Sequence, residues 1–270
     1  MARALVGGLL ESGLPQGAIQ VGEPEAGVRT ALALDFGVFV TDDNHTAIEG
    51  CSLVILAVKP QQAAKVLSAL TPALALARPL VLSVAAGIRT ASLTQWCGGA
   101  GVVRAMPNRP ALVGAGATGL YAASGVNATQ RNLAEQVMRA VGPTVWVDTE
   151  DQLDAVTALS GSGPAYFFLL AELMAQAAVR QGLPQAAAQV LAVGTLHGAG
   201  ALAHASDGDL ARLRAEVTSP GGTTEAALRV FSSCGLAAVV EQAMEAAAAR
   251  GRELAAQFGA ATDPAGTPRA

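Results

Sequence analysis

Leu53-Val54-Ile55-Leu56-Ala57-Val58 and Leu80-Val81-Leu82-Ser83-Val84 are apolar at nearly every position rather than at every second one. A strand with one face in water has to alternate, so runs of this kind belong to strands covered on both faces, as in a parallel sheet between helices. Further short β-rich runs stand at residues 19–22, 37–41, 102–105, 117–121 and 144–148. Helix-period stretches such as 61–70 and 129–141 separate them, with Pro and Gly at the joints. This alternation predicts a doubly wound α/β domain. After Asp148 the strand signal stops. Ala-rich helices are expected over 164–181, 184–203 and 236–258, with shorter ones over 209–216 and 224–231. The chain therefore reads as an α/β domain over 1–149, an all-helical domain over 150–258 and a disordered tail over 259–270.

Composition narrows the function classes. Hydrophobic residues make up 51% but aromatics only 4%, so the core must be Ala, Val and Leu in close contact. Charged residues are 14%, well under the roughly 25% of a typical soluble domain. With a net charge of −4, and Lys59 and Lys65 as the only lysines, no concentrated basic face is available for nucleic acid or a membrane surface. No apolar run approaches the roughly 20 residues that span a bilayer, and no secretory signal opens the chain, which predicts a cytoplasmic protein. Cys51, Cys97 and Cys234, like His45, His197 and His204, have no ligand spacing, so no metal site is expected.

The opening departs from this pattern. Residues 1–12 read as a helix that ends at Gly13, and the first strand run follows at Ile19. A dinucleotide-binding domain begins instead with a strand and a G-x-G-x-x-G turn before its first helix. Gly7-Gly8 cannot serve as that turn, because both lie inside the helix. The expected sheet is thus Rossmann-like with its first strand missing, which leaves two neighbouring strands without a central partner. The corresponding expectation is a start codon set too far downstream.

Four motifs carry chemistry. Ala57-Val58-Lys59-Pro60-Gln61 follows the most apolar strand, and ligands of open α/β sheets collect outside carboxyl strand ends. Ser83-Val84-Ala85-Ala86-Gly87 closes the next strand with small residues that let a ligand approach the backbone. Either turn alone is an ordinary strand–helix loop; two in consecutive units point to a nucleotide. Asn108 stands between Pro107 and Pro110 in a rigid non-helical stretch that presents its amide in a constant direction, as orienting a planar ring requires; a structural turn is the alternative. Leu159-Ser160-Gly161-Ser162-Gly163-Pro164 feeds a helix with Pro in its first turn. Thr218-Ser219-Pro220-Gly221-Gly222-Thr223-Thr224-Glu225 sets hydroxyls and backbone donors before a helix start, an anion cradle suited to carboxylate or phosphate. A plain capping loop with Thr as cap and Glu225 in the first turn is the alternative, though it needs neither two glycines nor four hydroxyls.

In this order, AVKPQ, SVAAG, RAMPN-P, SGSGPAYFF and TSPGGTTEAAL resemble the pyrroline-5-carboxylate reductases over residues 1–258. The resemblance implies a Rossmann domain followed by an all-helical dimerisation domain, in a homodimer or larger homo-oligomer. It also implies NADPH or NADH as hydride donor and the cyclic imine 1-pyrroline-5-carboxylate as the substrate reduced to L-proline, in the last step of proline biosynthesis. By the same resemblance Asn44, Ala57, Val58, Lys59, Pro60, Ala85, Ala86 and Gly87 line the cofactor, and Asn108 lies near the nicotinamide. Thr224 and Ser219 are the catalytic candidates, and Gly222 and Thr223 hold the substrate. Asp207 stands where the family has a glutamate near the substrate, and Glu150 contributes there. Glu23 sits where an acidic residue bonds the ribose 2′-hydroxyl of NAD and repels a 2′-phosphate; Arg29 is near enough to meet a phosphate, so acceptance of both cofactors is expected.

The chain departs from the family twice. Arg109 replaces the usual Thr between Asn and Pro, and Met1-Ala2 matches only the end of the family's G-x-G-N-M-A turn. Two other readings compete: another Rossmann imine or hydroxyacid dehydrogenase, against which the TSPGGTT loop speaks, and a truncated, non-catalytic homo-oligomeric remnant.

Overall fold

The structure is a computed structural model that describes residues 1–206 and 208–260. It opens with α1 (Ala2–Glu11), β1 (Gln20–Gly22), α2 (Ala26–Phe36), β2 (Phe39–Thr41) and α3 (Asn44–Ile48). There follow β3 (Leu53–Leu56), α4 (Pro60–Ala77), β4 (Leu80–Ser83), α5 (Thr90–Trp96), β5 (Val102–Met106) and β6 (Thr118–Ala122). Next come α6 (Ala128–Arg139), β7 (Thr144–Trp146), α7 (Gln152–Val156) and a π-turn over Thr157–Gly161. Five helices complete the described residues: α8 (Gly163–Arg180), α9 (Gln185–Ala205), α10 (Leu210–Glu216), α11 (Thr223–Ser233) and α12 (Leu236–Ala260). Two compact units result, one of Met1–Gly161 with the stretch from Ala247, the other of Ser162–Ala246. The tail expected to be disordered begins inside α12, and residues 261–270 lie outside the described residues.

The first unit is the Rossmann-like domain. Its strands form a two-stranded sheet, β1 parallel to β2, and a five-stranded sheet in the order β3-β4-β5-β6-β7. β3, β4 and β5 are parallel, with Leu53 opposite Leu80 and Val81 opposite Val102. β6 runs antiparallel to β5; residues 107–117, with a 3-10 helix over Arg109–Val113, join them in place of an α-helical crossover. Side chains alternate between two covered faces. On one, Val81 and Val102 pack with Ala63, Leu67 and Leu74 of α4 and Leu93 of α5. On the other, Leu80, Leu82 and Val103 pack with Leu5 of α1 and Ala134 and Met138 of α6.

β1 and β3 fall in separate sheets, and each has one strand partner. These are the two strands expected to flank a central partner, and the consequence shows in burial. All four residues of β4 are buried, whereas Leu53, Val54 and Ile55 of the equally apolar β3 are only partly covered. Gly8 shows why glycine stands inside α1: a Cβ there would lie 2.4 Å from the Ala140 carbonyl oxygen at the end of α6. Gly8 lies inside the helix, as expected, and serves close packing there and not a turn.

The second unit contains α8 to α11 and the start of α12. α8 and α9 form a hairpin whose turn holds Gly182 at φ +101°. Their apolar side chains are widely exposed within the described chain, among them Phe168 (60%) and Val190 (72%). Against expectation, α9 is long and apolar enough to cross a membrane by length and composition: its 21 residues, rich in Ala and Gly, include no Asp, Glu, Lys or Arg. Its small side chains raise mean hydropathy without forming the bulky aliphatic run that marks a spanning helix to the eye.

Candidate active site

Every residue expected to line the cofactor lies in a turn or helix start that follows the carboxyl end of one of the parallel strands. Glu23 follows β1, Asn44 opens α3 after β2, Ala57 to Pro60 join β3 to α4, Ala85 to Gly87 follow β4, and Asn108 follows β5. The Asn44 amide stands over Gly22, where a Cβ would meet its Oδ1 at 2.3 Å. Asp43 caps α3 by accepting the His45 and Thr46 N–H groups, and its bond from the Thr46 hydroxyl, more than these, holds its carboxyl below the usual range. Lys59 is exposed and precedes Pro60 at the first turn of α4, whose start has no side-chain cap. Gly87 has φ +76°, and a Cβ there would lie 3.1 Å from the Phe258 ring. A half-buried carboxylate at β1, small-residue turns after β3 and β4, and an exposed ammonium at a helix start fit the ribose, the backbone approach and the phosphates of a nicotinamide dinucleotide.

The Asn108 side chain is engaged at both ends by the chain itself. Nδ2 donates to the Ser160 carbonyl in the π-turn at 3.0 Å, and Oδ1 accepts the Ala117 N–H at 2.9 Å. The prolines present the amide in a constant direction, and that direction is toward the π-turn.

Glu150 lies in a buried latch. Oε1 accepts from Arg104 Nη1 at 2.7 Å and from the Thr90 N–H at 2.6 Å, while Oε2 accepts the Thr90 hydroxyl at 3.0 Å. Beside it, Arg89 meets Asp151 at 2.5 Å and Asp154 at 3.6 Å. Burial lowers the Arg89 pKa, but these carboxylates outweigh it and hold the guanidinium above its usual range. The latch escaped the sequence reading, although an arginine inside the otherwise apolar run Val102-Val103-Arg104-Ala105 implies a counter-charge.

In the second unit, the loop from Val217 to Gly222 leads into α11. Ser219 and Thr223 are exposed, Gly222 and Thr224 half-buried. Gly221 has φ +72° and donates its N–H to Glu225 Oε2 at 2.7 Å; Gly222 donates to the Ser219 carbonyl at 3.0 Å. Gly222 is the N-cap of α11 and has no side-chain cap. Since Ala226 makes its helical bond to the Gly222 carbonyl, the N–H groups of Thr223, Thr224 and Glu225 are the open donors of this helix start. Thr is thus not the cap; Glu225 reaches back to the turn. Asp207 lies outside the described residues.

A family model described as pyrroline-5-carboxylate reductase dimerisation matches residues 150–254, and one described as NADP oxidoreductase coenzyme F420-dependent matches residues 1–87. The chain is 47% identical to a pyrroline-5-carboxylate reductase of Pseudomonas aeruginosa, over 96% of this chain and 95% of that one. The structure of a pyrroline-5-carboxylate reductase from Coxiella burnetii superposes with a TM-score of 0.91 at 41% identity, covering 94% of each chain. A Plasmodium falciparum pyrroline carboxylate reductase with NADP bound reaches a TM-score of 0.78 at 26% identity, again over 94% of each. A Rossmann-like unit with small-residue turns at its carboxyl strand ends, a helical unit matched as a dimerisation domain, and identity across nearly the whole chain together show that this chain belongs to the pyrroline-5-carboxylate reductase family.

Proposed function

We propose that this chain reduces 1-pyrroline-5-carboxylate to L-proline with NADPH or NADH, in the cytoplasm, as a homodimer or larger homo-oligomer. The observation that carries the reading is the turn before α11, where hydroxyls and open N–H donors of a helix start converge in a sequence specific to this family. The cofactor, when bound, supplies hydride from its nicotinamide ring. The protein's own task is then positioning, because a protonated cyclic imine is already electrophilic at carbon.

The N–H groups of Thr223 and Thr224 hold the substrate carboxylate, helped by the positive end of the helix dipole. Those of Gly221 and Gly222 are committed inside the turn. The Ser219 hydroxyl adds a donor, and the Thr224 hydroxyl bonds the ring nitrogen, which carries the proton while the imine carbon accepts hydride. The exposed apolar side chains of α8 and α9 supply a subunit interface, in keeping with the dimerisation-domain match. Mixing the purified chain with pyrroline-5-carboxylate and reduced cofactor tests the proposal. Oxidation of the nicotinamide with equimolar proline formation supports it, and oxidation with other cyclic imines or with 2-oxo acids but not with this substrate sinks it.

A further inference from the structure

We infer that this chain selects NADH over NADPH, and that Glu23 is the residue that does so; the inference rests on the cofactor-binding reading of the Rossmann-like unit. Glu23 stands at the carboxyl end of β1, with its backbone anchored by donating its N–H to the Thr41 carbonyl of β2 at 2.9 Å. Its side chain is also held: Oε1 accepts the N–H of Glu25, the N-cap of α2, at 3.0 Å. A helix start next to a strand end is where backbone N–H groups would meet an added phosphate. Here the chain's own carboxylate stands at the N-cap of that helix, where it would face an added phosphate.

Arg29, the arginine at these turns among the described residues, is committed elsewhere. Arg29 donates through Nη1 to the carbonyl oxygens of Glu23 at 2.9 Å and Pro24 at 2.8 Å, and Nη2 lies 3.3 Å from Asp42. Two of its bonds thus brace the turn after β1, and the third pairs a carboxylate. Four acidic residues, Glu23, Glu25, Asp42 and Asp43, lie in the turns after β1 and β2. A 2′-phosphate, with about −1.5 to −2 charge, would meet this field with no uncommitted arginine in these turns to offset it. A ribose diol is neutral, and the lone pairs of Glu23 not used by Glu25 can accept its hydroxyls. One Plasmodium relative with NADP bound does not decide the choice for this chain. These turn residues do.

The test is isothermal titration of the purified full chain with NADH and with NADPH, a readout that needs no turnover. NADH is expected to bind at least about tenfold more tightly, the loss on removing one charge-assisted bond and adding like-charge contact. Glu23→Gln keeps an acceptor for the Glu25 N–H but removes the charge, so it should narrow the ratio several-fold; its melting temperature reports whether it folds. Asp42→Asn, which loosens Arg29, should raise NADPH affinity in the same direction. Equal or tighter NADPH binding by the unaltered chain overturns the inference and leaves the reductase reading standing. An unchanged ratio in folded Glu23→Gln removes Glu23 as the selector. Failure of both nucleotides to bind overturns the inference together with the cofactor site.

Discussion

Removing the Glu150 carboxylate is the perturbation whose size the structure defines best. The Arg104 side chain is 9% exposed and that of Glu150 is 17% exposed, so the pair is largely withdrawn from water. Taking away one member of such a pair typically costs about 3–5 kcal/mol, because the remaining charge stays buried without compensation. Glu150→Ala also strips the Thr90 N–H, at the start of α5, and the Thr90 hydroxyl of their acceptors. The melting temperature should fall on the order of 10 °C. Glu150→Gln should fall between, since it keeps an acceptor for Thr90 but turns charged bonds into neutral ones, at about 1–2 kcal/mol. The assay is urea denaturation followed by tryptophan emission. Both tryptophans, Trp96 on α5 and Trp146 on β7, lie in the unit that holds the latch, so the signal reports its unfolding. A midpoint change in Glu150→Ala worth less than about 0.5 kcal/mol would refute the latch. If Glu150 instead binds substrate, Glu150→Gln will raise KM for the imine while the denaturation midpoint stays put.

Other outcomes follow from single contacts. Thr224→Ala should lower kcat/KM with pyrroline-5-carboxylate by roughly 2–3 kcal/mol, or about 30- to 150-fold; unchanged turnover removes the hydroxyl from the mechanism. Asn108→Asp keeps the acceptor for the Ala117 N–H but sets a carboxylate against the Ser160 carbonyl, so chemical denaturation should show a loss of at least about 1–3 kcal/mol. The Glu135 carboxyl is held below its ordinary value of 4.5, chiefly by the Trp146 indole N–H at 2.8 Å. A lowered folded pKa gives stability that is present above the ordinary value and lost as pH falls through the folded one. The unaltered chain should therefore exceed Glu135→Gln in stability at neutral pH, and the two should converge in acid; parallel curves would exclude this bond as the cause.

Much of the architecture was legible because it rests on local rules. Each β-rich run became a strand, since runs apolar at every position or rich in β-branched residues have few other solutions between helix-period stretches. Pro60 and Pro164 mark helix starts because the first turn needs no N–H from proline and its fixed φ suits the helix. The turns at Ala57 to Pro60, Ala85 to Gly87 and 219–224 were readable as candidate sites because small residues next to a strand end or helix start imply close approach. Long-range partners left no such trace. That Asn108 reaches Ser160, that Arg104 finds Glu150 and that Arg29 braces the turn behind Glu23 each depend on which loops the sheet sets side by side.

The sequence alone determined the class of fold, the order of its elements and the family, because periodicity, prolines and motif order are properties of neighbouring residues. Only the tertiary structure decided that β3 is an edge strand with a partly exposed apolar face, that the Asn108 amide faces the π-turn, and that the one arginine near Glu23 is already bonded to the chain. Those facts concern pairs of groups far apart in sequence or turned toward one another by the backbone. Burial and hydrogen-bond geometry, which no one-dimensional pattern carries, settle how each donor and acceptor is used.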